Sequence, residues 1–324
     1  MVTLDDIELA ASRLRGLAVR TPLLSFPQQQ PGRELYLKPE SFQPIGSFKL
    51  RGAYNKIASL SAGERGYGVI SYSSGNHAQG VAYAARALGV KSVIVMPSNA
   101  PQIKIDSTRA LGAEIVFVGP ASSERKAKAE ELAAQHGYVI IPPYNDEKII
   151  AGAGTTGLEI FADLPDAGTI LVPVGGGGLI SGVATAIKLG GSKARIIGVE
   201  PELASDAQAS FRAGHIVEIS ADQTSRTLAD GLRTQSVGEI NFEHIRRFVD
   251  DIVTVTEPEI LEAIRLLAVN AKLVAEPSGA VTFAAFLFRA YQLPASQKSV
   301  AVISSGNIDP ALLSRVLADG SAGL

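Results

Sequence analysis

The chain has 324 residues, which is long enough for about two domains of ~100–200 residues each. Hydrophobic residues make up 46% and charged residues 19%, as in an ordinary globular protein, and the net charge of −2 argues against nucleic acid or an anionic membrane as a partner. The absence of cysteine excludes disulfides and thiolate chemistry, and four unclustered histidines disfavour a multi-histidine zinc site. With no membrane-spanning or leader-like run, we expect a cytoplasmic protein.

In chain order, short apolar runs alternate with amphipathic runs that have helical periodicity. Two of the helical runs end at Gly89 and Gly112, residues typical of helix C-termini. This alternation predicts an α/β fold with mostly parallel sheets. The strand candidates are ELYLK (34–38), GVISYS (68–73), SVIVMP (92–97), EIVFVG (114–119), TILVPV (169–174), RIIGVE (195–200) and SVAVISS (299–305).

Two irregular stretches interrupt this alternation. Residues 219–235 are polar and broken, which predicts a long connection, and long connections in compact domains are often functional. Residues 141–147 (IPPYNDE) are predicted to be a passage between domains.

A run of four glycines, 175–178, follows the strand candidate TILVPV and precedes a helical run. Ligands bind at the carboxyl ends of strands in parallel sheets, and successive glycine amides at a helix N-terminus suit an anion. A closely packed turn needs one or two glycines rather than four. No GK[ST] follows and the spacing is not GxGxxG, so the predicted phosphate belongs to neither ATP nor a dinucleotide.

Two further polar loops follow strand candidates, YSSGNHAQG at 72–80 and ISSGN at 303–307. Each is compatible with a plain helix cap or with anion binding. Lys49, in QPIGSFKLRG (43–52), has a comparable setting, because it follows a Gly-Ser turn and lies between Phe48 and Leu50. Alternatively, Lys49 has only a structural role, as a lysine at the start of a helix whose aliphatic stem covers apolar surface.

Five segments together resemble fold-type II pyridoxal-phosphate enzymes, which are tryptophan synthase β-like, and within them the serine/threonine dehydratases and serine racemases. The segments occur in the order and spacing of that family across nearly the whole chain: GSFKLRGA (46–53), SSGNHAQG (73–80), VGGGGLISG (174–182), EPSGA (276–280) and SSGN (304–307). The resemblance implies two open, twisted, mostly parallel sheets flanked by helices. It also implies a large cofactor-binding domain (1–43 and 146–324) and a small lid-like domain (44–145).

The resemblance assigns pyridoxal 5'-phosphate as cofactor and gives roles to single residues. Lys49 resembles the Schiff-base lysine, with Phe48 beside it, and Ser304 would face the pyridine nitrogen. Asn76 would meet the phenolic oxygen, while the phosphate would lie on Gly175, Gly176, Gly177 and Gly178. The substrate would be bound by Ser73, Ser74, Gly75 and His77. Glu276 resembles a pocket residue of open role.

The function that this resemblance implies is a dehydratase, or ammonia-lyase, that converts L-threonine and L-serine to a 2-oxo acid and ammonia. Ser74 keeps two alternatives open, because many threonine dehydratases have alanine there, whereas serine racemases and hydroxyaspartate dehydratases have serine. In a racemase this serine is the second acid/base, opposite the lysine. GSFK at 46–49 argues against the hydroxyaspartate enzymes, where GAFK is expected. A phosphate-binding module without catalysis is the alternative from another class.

The segment EPELASD (200–206) resembles the divalent-cation site of the racemase group, formed by Glu200, the Ala204 carbonyl and Asp206. Oxygen ligands suit Mg²⁺ or Ca²⁺, although acidic residues at a helix N-terminus are an alternative explanation. The resemblance also implies that the protein is a homodimer. Its expected substrate is a small hydroxy amino acid. Few residues follow the last expected helix, so no regulatory domain of the biosynthetic threonine deaminase type is expected.

Overall fold

The computed structural model describes residues 1–27, 32–73, 75–100, 102–119 and 122–318. Within these residues the strands form one six-stranded and one four-stranded sheet. The strands are β1 (Leu24–Ser25), β2 (Glu34–Pro39), β3 (Val69–Tyr72), β4 (Ser92–Pro97), β5 (Glu114–Val118), β6 (Val139–Ile140), β7 (Thr169–Pro173), β8 (Arg195–Pro201), β9 (Asp251–Val255) and β10 (Lys298–Ile303).

The larger sheet has the order β1-β2-β10-β7-β8-β9 and is parallel except for the β1–β2 pair. The smaller sheet has the order β5-β4-β3-β6 and is parallel throughout. The predicted α/β class, with two open and mostly parallel sheets, is therefore confirmed. All strands of the smaller sheet lie between residues 69 and 140, but the domain boundaries at 44 and 145 stay a prediction.

Helices connect the strands and cover both sheets. They are α1 (Leu4–Leu14), α2 (Lys49–Ala58), α3 (Ala62–Tyr67), α4 (Asn76–Ala87), α5 (Gln102–Ala110), α6 (Ser122–His136), α7 (Glu147–Asp163), α8 (Gly178–Leu189), α9 (Asp206–Ala213), α10 (Ala221–Thr224), α11 (Glu239–Phe248), α12 (Glu257–Leu266), α13 (Pro277–Phe288) and α14 (Pro310–Ala318). No helix within these described ranges has the length and apolarity needed to cross a membrane.

The apolar strands are buried on both faces because helices pack on each side of a sheet. On β7, Leu171 belongs to a core shared with α12 and α13, whereas Ile170 and Val172 belong to a core shared with α8 and α11. The smaller sheet repeats this arrangement with α4 on one face and α6 on the other. Continuous rather than alternating hydrophobic runs follow from this burial.

Helix α7 packs closely between α2 and α8, and glycines permit the approach. A Cβ on Gly152 would lie 2.4 Å from the Arg51 carbonyl oxygen, and one on Gly182 would lie 2.4 Å from the Gly154 nitrogen. Both distances are too short for any side chain. The helix that begins at Lys49 is thereby fixed relative to the helix that follows the glycine run.

Each strand candidate corresponds to an observed strand within one or two residues at either end. The stretch 219–235 is a connection, as predicted, but it contains α10 and a 3₁₀ turn at Asp230–Leu232. The strands β1, β6 and β9 were not among the candidates. β1 and β6 have two residues each, which is too short to show a periodicity.

Candidate active site

Three loops meet at the carboxyl ends of β3, β7 and β10. Together with the start of α2 they border a cavity of about 250 Å³. Most of the residues predicted for the site line it: Phe48, Lys49, Ser73, Gly75, Asn76, His77, Gly176 and Ser304. Of the glycine run only Gly176 lines it, while Gly175, Gly177 and Gly178 do not, and neither do Glu200, Ala204 and Asp206. Ser74 lies outside the described residues.

Lys49 is the first residue of α2, and its side chain extends into this cavity. Its Nζ donates a hydrogen bond of 2.7 Å to the Pro143 carbonyl and lies 5.2 Å from the Phe48 ring centroid. Burial lowers the pKa of the Lys49 amine to about 8, because desolvation disfavours its charged form. About a tenth of this amine is thus uncharged at pH 7, far more than for an ordinary lysine, and that fraction can act as nucleophile or base.

The loop after β10 fixes the approach to Lys49. The Phe48 amide donates to the Ser304 carbonyl at 3.1 Å, and the Gly306 amide donates to the Gly46 carbonyl at 2.9 Å. An isolated β-bridge joins Ser47 to Ser305 between these contacts. Two segments more than 250 residues apart in the chain therefore hold each other in place.

The glycine run forms the N-terminus of α8 without a side-chain cap. Gly177 has φ +93°, a left-handed conformation that favours glycine. A Cβ on Gly176 would lie 2.3 Å from the Tyr144 ring, so that position accepts no side chain. The uncapped amides at this end of α8 have the chemistry that binds a phosphate.

The loop after β3 opens α4 with Gly75 as an N-cap that also lacks a side-chain hydrogen bond. The Ser73 Oγ accepts a hydrogen bond from the Gly75 amide at 3.3 Å. The His77 ring lies 3.0 Å from the Ile141 carbonyl oxygen, and burial, with the nearby Lys49 charge, lowers its pKa to about 3. His77 is therefore neutral at physiological pH and is held by the backbone.

Ser304 is buried at the floor of the cavity, where its Oγ donates to the Ser278 carbonyl at 3.5 Å. A hydroxyl in this position can face a ring nitrogen without protonating it. The buried lysine with its lowered pKa, the uncapped glycine loop and this hydroxyl together fit pyridoxal phosphate in its lysine, phosphate and ring contacts.

Several cavity residues were not predicted from the sequence. Tyr144 lies in the 141–147 stretch and Asp230–Thr234 in the 219–235 stretch, so both irregular stretches contribute to the site. Irregular composition was the available signal for them. Tyr72 and Ser305 also line the cavity and belong to the polar loops 72–80 and 303–307, although neither was given a role, whereas nothing in the sequence surroundings of Arg125 set it apart.

Glu200 and Asp206 form a separate buried pair at the start of α9. The Glu200 carboxylate accepts the Ala207 and Gln208 amides at 3.0 and 2.7 Å, so it also caps this helix. Burial raises the pKa of Asp206 to about 7, and burial together with the Asp206 charge raises that of Glu200. The buried Asp206 Oδ2 has no hydrogen-bond partner among the described residues.

A hard cation would bind the unpartnered Asp206 oxygen and would offset the repulsion between the two carboxylates. These residues therefore fit the predicted ion. No third acidic or histidine side chain completes a cluster within the described part of the chain. The predicted Ala204 carbonyl and water molecules are compatible with such a site.

Comparison with known proteins agrees with this geometry. The model of the family described as pyridoxal-phosphate dependent enzyme matches residues 14–306. The L-threonine ammonia-lyase of Thermotoga maritima is 46% identical over 99% of this chain and 79% of its own length. The L-threo-3-hydroxyaspartate ammonia-lyase of Saccharomyces cerevisiae is 40% identical over 95% and 94%. The structure of maize serine racemase is similar with a TM-score of 0.93 and 35% identity over 98% of both chains.

The chain belongs to the family of pyridoxal-phosphate-dependent enzymes, with the fold-type II architecture. The predicted family and cofactor are thereby confirmed.

Proposed function

We propose that the protein is an ammonia-lyase that converts L-threonine and L-serine to a 2-oxo acid and ammonia. The observation that carries this proposal is the Lys49 amine, which is largely desolvated and lies in one cavity with the uncapped ends of α4 and α8. The similarity to an L-threonine ammonia-lyase over nearly the whole chain supports the same substrate class.

When bound, pyridoxal phosphate supplies an electron sink for negative charge at the substrate's α-carbon. In this proposal Gly175–Gly178 hold its phosphate through their amides, and Asn76 and Ser304 hold the two polar atoms of its ring. A serine at the ring nitrogen leaves that nitrogen unprotonated, which makes the sink milder. Elimination and α-proton exchange are then favoured over transamination.

Lys49 has two successive tasks in the proposed reaction. Its amine would hold the cofactor, and once free it would accept the proton from the substrate's α-carbon. Its pKa of about 8 suits both tasks, because an amine that titrates near the working pH is an efficient base. The Pro143 carbonyl, 2.7 Å from Nζ, orients the side chain between these steps.

The substrate's α-carboxylate would bind at the N-terminus of α4, where Ser73 and the amides from Gly75 onward line the cavity. A helix N-terminus without its own cap favours a negative charge. His77, held neutral beside the Ile141 carbonyl, adds no competing charge to this end of the cavity.

Serine racemisation is the second candidate function. The residues SSGNH at 73–77 and the similarity to maize serine racemase favour it. The hydroxyaspartate ammonia-lyase activity of a relative at 40% identity is the third, although Ser47 departs from the GAFK pattern expected there.

One experiment separates these functions. The purified holoenzyme is incubated with L-threonine, L-serine and L-threo-3-hydroxyaspartate, and 2-oxo acid, ammonia and D-serine are quantified. We expect threonine and serine each to yield 2-oxo acid and ammonia, with one molecule of ammonia formed per molecule of 2-oxo acid. D-serine formed faster than pyruvate would make the protein a racemase. Preferred turnover of hydroxyaspartate would identify the third function, and no turnover of any substrate would leave only ligand binding.

We further propose that Glu200, Asp206 and the Ala204 carbonyl bind Mg²⁺ or Ca²⁺, and that the protein is a homodimer with residues 44–145 as a mobile cap. The orphaned Asp206 Oδ2 supports the cation, and the cavity between the loops of both sheets supports closure of a cap, which would exclude water. Light scattering of the purified protein tests the dimer.

A further inference from the structure

The active-site cavity contains a buried carboxyl group to which the roles described so far assign no task. Glu276 precedes α13 as its N-cap residue and is only 4% exposed. It lines the active-site cavity and also a neighbouring cavity of about 450 Å³. Its amide donates to the Ser305 carbonyl at 3.2 Å, which ties it to the loop after β10.

The side chain of Glu276 is one member of a chain of hydrogen bonds through Asn76. Its Oε1 accepts from Asn76 Nδ2 at 2.6 Å and from Ser305 Oγ at 2.5 Å. Asn307 Nδ2 in turn donates to Asn76 Oδ1 at 2.7 Å. An amide whose oxygen accepts one bond and whose nitrogen donates another has a single orientation, with one N–H remaining.

We propose that Glu276 is a positioning residue, which fixes the Asn76 amide so that its second N–H remains for the cofactor's phenolic oxygen. This inference rests on the proposed function, since the contact between Asn76 and that oxygen comes from the family resemblance. Without an acceptor at Nδ2, the amide of Asn76 could rotate and present its oxygen instead, which would repel a phenolate.

The strength of this hold depends on the charge of Glu276. A hydrogen bond to a carboxylate is roughly twice as strong as one to a neutral acceptor. Because Oε1 already accepts two donors, a proton would bind on Oε2. Ionised Glu276 therefore holds Asn76 firmly, and protonation loosens it.

Burial, and then the charge of Asp230, raise the pKa of Glu276 to about 7, while the Ser305 and Asn76 hydrogen bonds and the Lys104 charge oppose them. Lys104 on α5 and Asp230 form an ion pair with each other. The two partners of this pair thus act on the same carboxyl in opposite directions. The other charged side chains that line the two cavities are Lys49, Arg125, Arg233 and Asp309.

Three other titratable groups that line the active-site cavity, His77, Tyr72 and Tyr144, are neutral near pH 7. The pKa of His77 is lowered to about 3, chiefly by burial, and burial raises those of Tyr72 and Tyr144. The covalently bound Lys49 no longer titrates as a free amine. The bound cofactor brings titratable groups of its own, so the visible band alone does not identify Glu276, and a carboxyl resonance that Glu276→Gln removes is needed to assign the transition.

The test is a pH titration of the holoenzyme that follows two signals, the cofactor's visible absorption band and the carboxyl carbons of ¹³C-labelled glutamate by NMR. We expect the glutamate resonance that is absent from Glu276→Gln to titrate together with the visible band near pH 7, and the resonance of Glu200, whose pKa burial also raises, to titrate independently of that band. Glu276→Gln retains an acceptor oxygen but cannot titrate, so both transitions should disappear while the protein remains folded.

Two further variants, each of which removes one charge of the Lys104–Asp230 ion pair, should shift the titration midpoint in opposite directions. Asp230→Asn should lower the midpoint of both signals, and Lys104→Met should raise it. In an Asn76→Ala background, Glu276→Gln should no longer change the visible band, since its effect passes through that amide.

The inference is wrong if the Glu276 resonance titrates in the range of an ordinary glutamate. It is also wrong if that resonance titrates near pH 7 but the visible band of Glu276→Gln responds to pH in the same way as that of the wild type. These results concern only the positioning of Asn76. Turnover of threonine by the wild type tests the proposed function independently.

Discussion

At the scale of single residues, the chemistry depends on the surroundings of Lys49. Its amine has a carbonyl partner, Pro143, but burial lowers its pKa to about 8. A lysine on the surface is almost entirely protonated at neutral pH, so almost none of it is in the unprotonated, nucleophilic form. Two of its neighbours in sequence, Phe48 and Leu50, are apolar, so this low pKa was partly predictable from the local pattern.

This pKa predicts how the apoenzyme takes up its cofactor. Only the unprotonated amine attacks an aldehyde, so the rate constant for covalent attachment should rise about tenfold per pH unit below pH 8 and level off above it. Stopped-flow absorbance after mixing apoenzyme with pyridoxal phosphate measures this rate. A rate that continues to rise to pH 10 would show an ordinary lysine.

Ser74→Ala separates the two leading functions. If Ser74 is the second acid/base, this variant should lose D/L interconversion by ~10²–10⁴-fold, while dehydration of L-serine, which needs Lys49 and a leaving hydroxyl, survives in large part. The assay is α-proton exchange in heavy water beside 2-oxo acid formation, for both serine enantiomers.

Equal loss of both activities, or loss of neither, would leave Ser74 as a structural residue. A mere helix cap would cost only ~1 kcal/mol of stability.

The role of Glu276 could not be predicted from the sequence in the way that of Lys49 was. Its partners Asn76 and Ser305 are distant in the chain, and only the fold brings the three together. The same holds for Arg125, whose surroundings in sequence resemble those of any exposed helix. Local patterns identify a residue by its neighbours in the chain, whereas a hydrogen-bond network depends on contacts between elements.

At the scale of elements, the site is built from strand ends and uncapped helix starts. Long apolar strands and the glycine run were predictable, because each carries its own periodicity or composition. The 3₁₀ turn at Asp230–Leu232 was not, since three residues show no period. Its contribution to the cavity comes from packing against the loops around Glu276.

The two ends of α8 offer a matched pair of glycine substitutions. Gly177 at the N-terminus and Gly191 just beyond the C-terminus have φ +93° and +87°, so alanine at either should cost ~1–2 kcal/mol of backbone strain. Only Gly177 belongs to the predicted phosphate loop, and a Cβ there would also lie 2.9 Å from Asn241 Cβ.

We expect Gly177→Ala to weaken cofactor binding by about tenfold or more, or ~1.4 kcal/mol, and Gly191→Ala to leave it unchanged. Equilibrium titration of each apoprotein with pyridoxal phosphate measures this difference. Equal affinities would show that the glycine loop does not hold the phosphate.

At the scale of the whole molecule, loops from two sheets contribute to one cavity. Close glycine contacts along α7 fix the position of α2 relative to α8 and therefore the placement of the two sheets. The alternation of strands and helices predicted mostly parallel sheets, and the family resemblance implied that there are two. Their relative placement could not be predicted, because it depends on close approaches such as Gly152 to Arg51, which no local pattern reveals.

Cation removal should lower the stability of the entire fold. The buried Glu200–Asp206 pair repels itself without a cation, so a chelator should lower the unfolding temperature and Mg²⁺ or Ca²⁺ should restore it. At a cation concentration 100 times the dissociation constant the gain would be about 2.7 kcal/mol. Differential scanning calorimetry provides the measurement.

Asp206→Asn should abolish this response to the cation, whereas Glu202→Gln, an exposed neighbour in the same turn, should retain it. Unchanged melting of the chelated wild type would leave Glu200 with its helix-capping role alone.

We propose that Lys49 holds the cofactor, and chemical trapping identifies the lysine that does so. The holoenzyme is reduced with borohydride, digested and analysed by mass spectrometry, with Lys49→Ala as the control. We predict one stable adduct, on the peptide that contains Lys49, none in the variant, and no turnover by the variant. An adduct on another lysine, or a Lys49→Ala protein that turns over threonine at the wild-type rate, would show that Lys49 is not the residue that holds the cofactor.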